Sequence, residues 1–451
     1  MSVIQFPKQK AVFQPFAHFI RLGEGSYRRV ADLIAAGTLT SKRVVIDASK
    51  AAHQRDLIEM LRGRETEIIL DPRTIELSSR RKCGGLAASA PWASPDKGTP
   101  LGPELFRKGH STDIYGQIAK MCMELGVDAV LAPTQFLGDP GFDGWYRINV
   151  EGCELLRTAL DDAGGQNVRI DYLLAARLSD LRKPDFQRQF LTDLQSMPVD
   201  NLWLRLSMSP VENSPTNAQR LIGTLAGWHN AGVPIIMDYV GGLAGEALLS
   251  MNVVSGIAHG FGEQTAFTTS NWNDPPKKRD PEDGKKGGRA QRISVTALGR
   301  TFTTKEMEVL LSAHGARSLL LPAERHIAPN GVQDIQNDAR RFNAADAEHR
   351  LLAISKVPTV DRPEFFAQTR MREIASTAKR AEKLNPKAEV AKANNVDLAK
   401  LQKRLTEQRQ KSDSLRETFE DIATERKEQG YLAKEIGSVR LATQHKETGT
   451  R

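Results

Sequence analysis

The 451-residue chain is short of the residues that announce a site by themselves: it has three cysteines, nine histidines and only 6% aromatics. Cys83, Cys122 and Cys153 stand far apart, with no CxxC pair and no His/Cys cluster. That excludes a zinc ribbon and argues against a disulfide framework, so the three read as buried small hydrophobes. No apolar run approaches the roughly 18–20 residues of a membrane span. The start, MSVIQFPKQKAVFQPF, lacks the charged-then-apolar pattern of a signal peptide. A soluble, cytoplasmic protein is the expectation. Neither a P-loop nor HExxH is present, and no cofactor or metal is expected.

What is present in surplus is positive charge, and it is unevenly placed. The net charge is +8, yet Arg362–Arg451 alone holds 20 Lys+Arg against 14 Asp+Glu, and 273–292 holds 7 against 4. The rest is near neutral. The segment WNDPPKKRDPEDGKKGGRAQR (272–292) has almost no apolar residue and reads as a flexible basic insert. Its Lys277, Lys278, Arg279, Lys285, Lys286 and Arg289 are candidate contacts to a nucleic-acid backbone.

Between residues 41 and 271, short continuous apolar runs alternate with amphipathic stretches. Strands centre near 44, 67, 129, 170, 203, 235 and 255, with helices such as 53–63, 112–126, 149–165, 184–197 and 217–232 between them. Buried parallel strands covered by helices on both sides have this pattern. Seven such units, with an eighth in the amino-terminal region or near SLLLP (318–322), predict an α/β fold, a closed (β/α)8 TIM-type barrel. An open doubly wound sheet is the alternative. The predicted organisation is an N-terminal segment (1–40), the barrel core (41–271), the basic insert (272–292), helical elements packed on the barrel (293–360), and a C-terminal α-helical extension with a basic tail (361–451). In that extension Leu398, Leu401, Leu405, Leu415, Phe419 and Ile422 fall on a and d positions, interrupted by Gln408 and Ser412, which predicts a coiled coil or helical hairpin. Cys83–Gly102, rich in Ala, Gly, Pro and Ser, reads as a long mobile loop after a strand exit.

Parallel strands deliver all their carboxyl ends to one face, which is where barrels keep their chemistry. The polar residues at inferred strand ends are Asp47, Asp71, Arg73, Gln135, Arg177, Arg205, Asp238, His259 and Glu263. Carboxylates facing arginines suit an anionic or hydrogen-bonding substrate, and a carboxylate can serve as base or nucleophile. Asp71, Asp238 and His259 are the catalytic candidates. Asp47, Arg73, Gln135, Arg177, Arg205, Gly241, Gly242, Leu243 and Glu263 are the candidates for binding substrate. No lysine ends a strand (Lys50 is the nearest), which speaks against Schiff-base chemistry.

The stretch YVGGLAGEALLSM, followed by VSGIAHG, resembles the late barrel region of the tRNA-guanine transglycosylase family, including relatives that insert 7-deazaguanines into DNA. Gly241, Gly242, Leu243, Ala244, Gly245 and Glu246 match that family's GGLAVGE-type loop, one residue shorter, and Asp71 in ILDP stands where an early-strand aspartate is expected. The family's CxCxxC…His zinc site is absent, and IAHG puts His259 where the family has its nucleophilic aspartate. The resemblance implies a barrel that acts on or binds a nucleobase in tRNA or DNA, as a base-exchanging glycosyltransferase if active. The missing zinc site and aspartate leave a second expectation open: an inactive nucleic-acid-binding or scaffold subunit whose coiled coil joins a homo-oligomer or a protein partner. An unrelated small-molecule barrel enzyme is the third.

Overall fold

The computed structural model describes residues 14–23, 27–96, 98–138, 142–211, 214–261, 264–269, 272, 292–321 and 332–437. Eight parallel strands close into a barrel in chain order: β1 (Ala17–Leu22), β2 (Arg43–Asp47), β3 (Glu67–Asp71), β4 (Ala129–Leu131), β5 (Arg169–Arg177), β6 (Asn201–Ser207), β7 (Ile235–Asp238) and β8 (Gly256–His259). The ring shuts where Ala17–Ile20 of β1 pairs with Gly256–His259 of β8.

The first strand lies inside the stretch expected to be a separate N-terminal segment, so the barrel begins at Ala17 and not at 41. SLLLP is not a strand, because Ala316–Leu320 is helical. AHFIRL hides its strand character because His18 and Arg21 interrupt the apolar run. Alternation along each strand separates two populations. Phe19, Val45, Ile69, Leu131, Leu173, Trp203, Ile236 and Ala258 form the apolar interior of the barrel. Ile20, Val44, Ile46, Ile68, Leu70, Val130 and Leu204 pack outward under the helices.

The last described residues close the amino-terminal face of the barrel. Ile436 joins the interior cluster and sits against Gly256. Arg169 Nη1 and Lys434 Nζ hold this tail by donating to the carbonyls of Gly437 (2.7 Å) and Gly232 (2.6 Å).

After the barrel, an antiparallel hairpin of β9 (Arg292–Val295) and β10 (Arg300–Thr303) and the helices Thr304–Leu311 and Ala316–Leu320 build a second apolar core. These two helices therefore pack into their own cluster, whereas the Ala339–Ser355 helix reaches both cores. The extension is a helical hairpin within one chain. Its first arm runs Arg362–Phe365, a π segment Phe366–Met371, then Arg372–Ala381, and its second is the 32-residue helix Leu398–Gln429, about 48 Å long at 1.5 Å per residue.

The predicted heptad seam is consumed internally. Leu401 and Leu405 complete the second core, while Leu415, Phe419 and Ile422 lie in the barrel's outer core. Phe419 meets Phe366 edge-on at 4.9 Å between ring centroids. Gln408 and Ser412, which break the heptad, have partners: Gln408 Nε2 donates to the Leu298 carbonyl at 2.7 Å, and Ser412 Oγ to the Gln408 carbonyl at 2.8 Å. Within the stretch expected to be a mobile loop, Trp92 is buried and its indole N–H donates to the Pro72 carbonyl at 3.0 Å.

Among the described residues, no helix is long and apolar enough to cross a membrane. Because the seam is spent inside the chain, Phe419→Ala is expected to cost about 3–5 kcal/mol in urea unfolding and to leave the sedimentation behaviour unchanged. A fall in oligomer mass with stability retained would show that the seam joins chains.

Candidate functional site

The inward alternation of the strands raises Arg21, Asp47, Asp71, Arg205 and Asp238 to the carboxyl-terminal end of the barrel, directly above the apolar interior. The register Asp47↔Asp71 sets two carboxylates side by side on β2 and β3. Arg21 Nε and Nη2 donate to Asp238 Oδ1 and Oδ2 (2.6 and 2.8 Å), and its Nη1 donates to Asp71 Oδ2 (2.9 Å). Arg205 mirrors it, with Nε donating to Asp238 Oδ2 (2.9 Å) and Nη2 to Asp71 Oδ2 (2.6 Å). Both guanidinium groups lie fully out of solvent. Charges taken out of water must be paired and hydrogen-bonded to persist, and here each carboxylate meets two arginines.

A second tier surrounds this lattice. Arg73 Nη1 donates to Tyr239 Oη (2.5 Å), and its Nη2 lies 3.2 Å from Glu76 Oε1. Asp47 Oδ1 sits 3.6 Å from Arg21 and 3.7 Å from Arg73. The Tyr239 ring lies against both inner arginines, with Cζ distances of 4.9 Å to Arg21 and 4.7 Å to Arg205. Arg73 and Tyr239 each follow a strand-end aspartate and adopt left-handed backbone (φ 62° and 61°). Non-glycine residues persist there only when their surroundings hold them, and such strain gathers at functional sites.

Electrostatics divides the carboxylates. Burial pushes the Asp71 carboxyl up, but the guanidinium groups of Arg205, Arg21 and Arg73 together outweigh it and hold the group well below the usual carboxylate range. At Asp47 burial prevails: the carboxyl is raised, with the Asp71 charge adding to the effect and Arg73 and Arg21 opposing it. Asp47 Oδ1, Glu76 Oε2 and Arg205 Nη1 are buried without a hydrogen-bond partner among the described residues.

Aromatic rings roof the layer. Phe267 and Trp272 are buried together (5.0 Å, edge-on), Phe136 lies about equally far from both (6.1 and 6.2 Å), and Tyr239 lies 6.1 Å from Phe267. The segment that carries two of these rings is strapped across the mouth at three points. Gln264 Nε2 donates to Asp47 Oδ2 (2.6 Å), Thr269 Oγ1 bonds Ser207 Oγ at the exit of β6 (3.0 Å), and the Trp272 carbonyl accepts from Ser79 Oγ (3.1 Å).

Of the residues singled out from sequence, Asp47, Asp71, Arg73, Arg205 and Asp238 converge. Arg177 ends β5, one inward step beyond the level of Arg205. Gln135 sits at the exit of β4, where its backbone is paired with Asn149 and both ends of its buried side-chain amide lack a partner. His259 does not join the layer. It alternates outward with His18, and its ring packs on Gly241, where a Cβ would come within 2.7 Å. That contact and the positive φ of Gly242 (58°) account for the glycine pair. Leu243 turns away from the mouth toward Gly299, and Glu246 pairs with Arg370 (2.6 Å) between the barrel and the extension. The GGLAGE stretch therefore does not form a base-holding loop at the mouth. Glu263 and the six basic residues Lys277, Lys278, Arg279, Lys285, Lys286 and Arg289 lie outside the described residues.

His259 belongs to a buried relay. Its Nδ1 faces the Gly260 carbonyl (3.1 Å), which only accepts, so Nδ1 carries the hydrogen and Nε2 accepts from His18 Nε2 at 3.2 Å. Burial and the neighbouring His18 push the His259 pKa down to about 3, keeping it neutral. His18 Nδ1 meets Glu348 Oε2 at 3.2 Å on the Ala339–Ser355 helix.

Arg21, Glu76, Tyr239 and Gln264 were not legible as site residues. Arg21 escaped with its strand, and the others sit past strand ends where only the folded backbone turns them inward.

No family model matches this sequence, and no curated protein matches it. Among solved structures the chain is similar to KGPDC from Streptococcus mutans, at 13% identity over 57% of this chain and 94% of that one. The TM-score is 0.31, which carries no argument about chemistry.

Removing the Asp238 charge leaves two buried arginines to share the Asp71 carboxylate. Asp238→Asn is therefore expected to lower unfolding free energy by about 3–5 kcal/mol, read from the urea midpoint. A loss below about 1 kcal/mol would mean that water already screens the layer.

Proposed function

We propose that the protein is a barrel that takes up a nucleobase presented by nucleic acid, tRNA or DNA, and acts on it in the manner of the tRNA-guanine transglycosylase family. One observation carries this reading: a layer of buried hydrogen-bonding groups lies under a roof of aromatic rings at the carboxyl end of a (β/α)8 barrel. A flipped-out base needs this pair of surfaces, because its edge is read by hydrogen bonds and its faces stack on rings. Arg205 Nη1, Asp47 Oδ1 and Glu76 Oε2, without partners among the described residues, supply three hydrogen-bonding atoms beneath that roof. The base enters as the strap bearing Phe267 and Trp272 lifts. Lys277, Lys278 and Arg279 follow Trp272 within seven residues, which puts phosphate-binding charge in the same stretch of chain as the roof.

A second reading, a nucleic-acid-binding subunit without turnover, has its own support. Asp71 accepts from Arg21, Arg205 and its own neighbour Arg73 N (2.9 Å), which leaves it a weak base and a poor nucleophile. His259 faces away from the mouth.

Binding of tRNA and duplex DNA measured across a salt series tests both. Affinity is expected to fall steeply with salt, and exchanging the six basic insert residues for Gln should flatten the log–log slope by up to about 0.9 per lost phosphate contact. Absence of salt-dependent binding to either nucleic acid would sink both readings. Mass analysis of nucleosides from cells with and without the protein separates them: a base present only with the protein supports turnover, and identical profiles leave the binding subunit.

A further inference from the structure

The charges of the polar layer do not balance. Among the described residues, Asp47, Asp71, Glu76 and Asp238 face Arg21, Arg73 and Arg205, four carboxylates against three guanidinium groups, all buried but Arg73, whose side chain keeps 13% exposure. One uncompensated negative charge out of water is costly enough that such a site neutralises itself with a proton. The hydrogen bonds say where. Asp71 Oδ2 and both oxygens of Asp238 accept from guanidinium N–H groups, and Asp71 Oδ1 accepts from Arg73 N. A proton there would displace a charged donor. Glu76 Oε1 lies within ion-pair reach of Arg73 (3.2 Å) and Arg205 (3.6 Å). Among the described residues, Asp47 alone of the four has no guanidinium closer than 3.6 Å, and its single hydrogen bond there comes from the neutral Gln264 amide of the strap.

We infer that Asp47 holds the proton that balances the layer and is the residue that gives it to a bound ligand. Asp47 Oδ1 is 3.6 Å from Arg21 and has no hydrogen-bond partner, so it is the atom with room for the hydrogen. A ligand that lifts the strap removes Gln264 and uncovers this carboxyl. The proton then passes from Asp47 to a basic ring nitrogen of the ligand. The ligand gains one positive charge, Asp47 becomes a carboxylate, and the layer's surplus negative charge pairs with the cation it has made. No other reactant is needed. The ligand's being a nucleobase rests on the function proposed above, whereas the proton on Asp47 does not.

The groups facing Asp47 are Arg21 on β1, Asp71 on β3, Arg73 and Glu76 beyond β3, and Gln264 on the strap. Burial, with the Asp71 charge adding to it, raises this carboxyl above its ordinary 3.8. A group whose folded pKa is raised stabilises the fold below its unfolded pKa and loses that contribution as pH rises through the folded value. Wild type should therefore lose stability relative to Asp47→Asn as pH climbs above about 3.8, with the two curves parallel once Asp47 has ionised.

Infrared difference spectroscopy of the full chain with carboxyl-labelled aspartate reads the proton directly. A carboxylic-acid band that titrates above the ordinary aspartate range and is missing in Asp47→Asn is expected. Gln264→Leu, which deletes a neutral strap contact, should move that titration to higher pH because the carboxylate loses its donor. A band that persists in Asp47→Asn, or a titration unmoved in Gln264→Leu, overturns the inference. If the band behaves as expected but wild type modifies no nucleoside, the proposed function fails and the proton assignment stands. If wild type does modify a base, Asp47→Asn should retain nucleic-acid affinity and lose turnover at least tenfold, and undiminished turnover would refute the transfer step.

Discussion

The fold is organised around the exchange of hydrogen bonds between two arginines and two aspartates at the top of the barrel. Arg21 and Arg205 come from β1 and β6, and Asp71 and Asp238 from β3 and β7, so the lattice ties four of the eight strands across the interior. A buried guanidinium without its carboxylate costs several kcal/mol, so the lattice tolerates no missing member. Its geometry also sets the backbone around it. Arg73, two residues beyond Asp71, and Tyr239, next to Asp238, take left-handed conformations, and in doing so bring a third guanidinium and a ring onto the layer. The strain is offset by the contacts it creates, an arrangement usual where a site is pre-organised.

The helical extension is part of the same construction. Glu246 pairs with Arg370 in the π segment, and Arg370 Nη2 also donates to the Thr296 carbonyl of the hairpin turn at 2.9 Å. A π turn shifts the side chains that follow it, and here it brings Arg370 to a buried carboxylate that a regular helix would present differently. Glu348 reaches from another helix to His18 on β1, and the chain's last described residues seal the opposite end of the barrel. The barrel is thus held at both faces and on its flank by segments far from it in sequence, leaving the carboxyl-terminal mouth, under its strap, as the place where chemistry can be reached.

Legibility from sequence followed burial on two faces. Strands β2, β3, β4, β5, β6, β7 and β8 announce themselves because a parallel strand between core and helices is apolar throughout. The first strand, AHFIRL, places an arginine inward and a histidine outward, and their partners (Asp71 and Asp238, His259 and Glu348) all come from other elements. The strand-end aspartates were readable because every parallel strand ends on one face. Their partners were not, since Arg21, Tyr239 and Gln264 acquire meaning only once the ring closes. The glycine pair at 241–242 was readable as a special backbone, and the fold assigns it to close packing on His259. The heptad stripe gave a long helix with one apolar seam, and burial within the chain decided what covers it.

By itself the sequence determined the barrel class, the level at which polar side chains accumulate, and the helical hairpin, because period and apolar run length are local properties that one strand or helix must satisfy alone. Tertiary structure decided which of those polar groups form one lattice, that His259 stands outside it, and that Asp47 is the layer's carboxylate with no guanidinium closer than 3.6 Å. Those facts depend on distances of a few ångströms between strands far apart in the chain, where hydrogen bonding and desolvation act and periodicity carries no information.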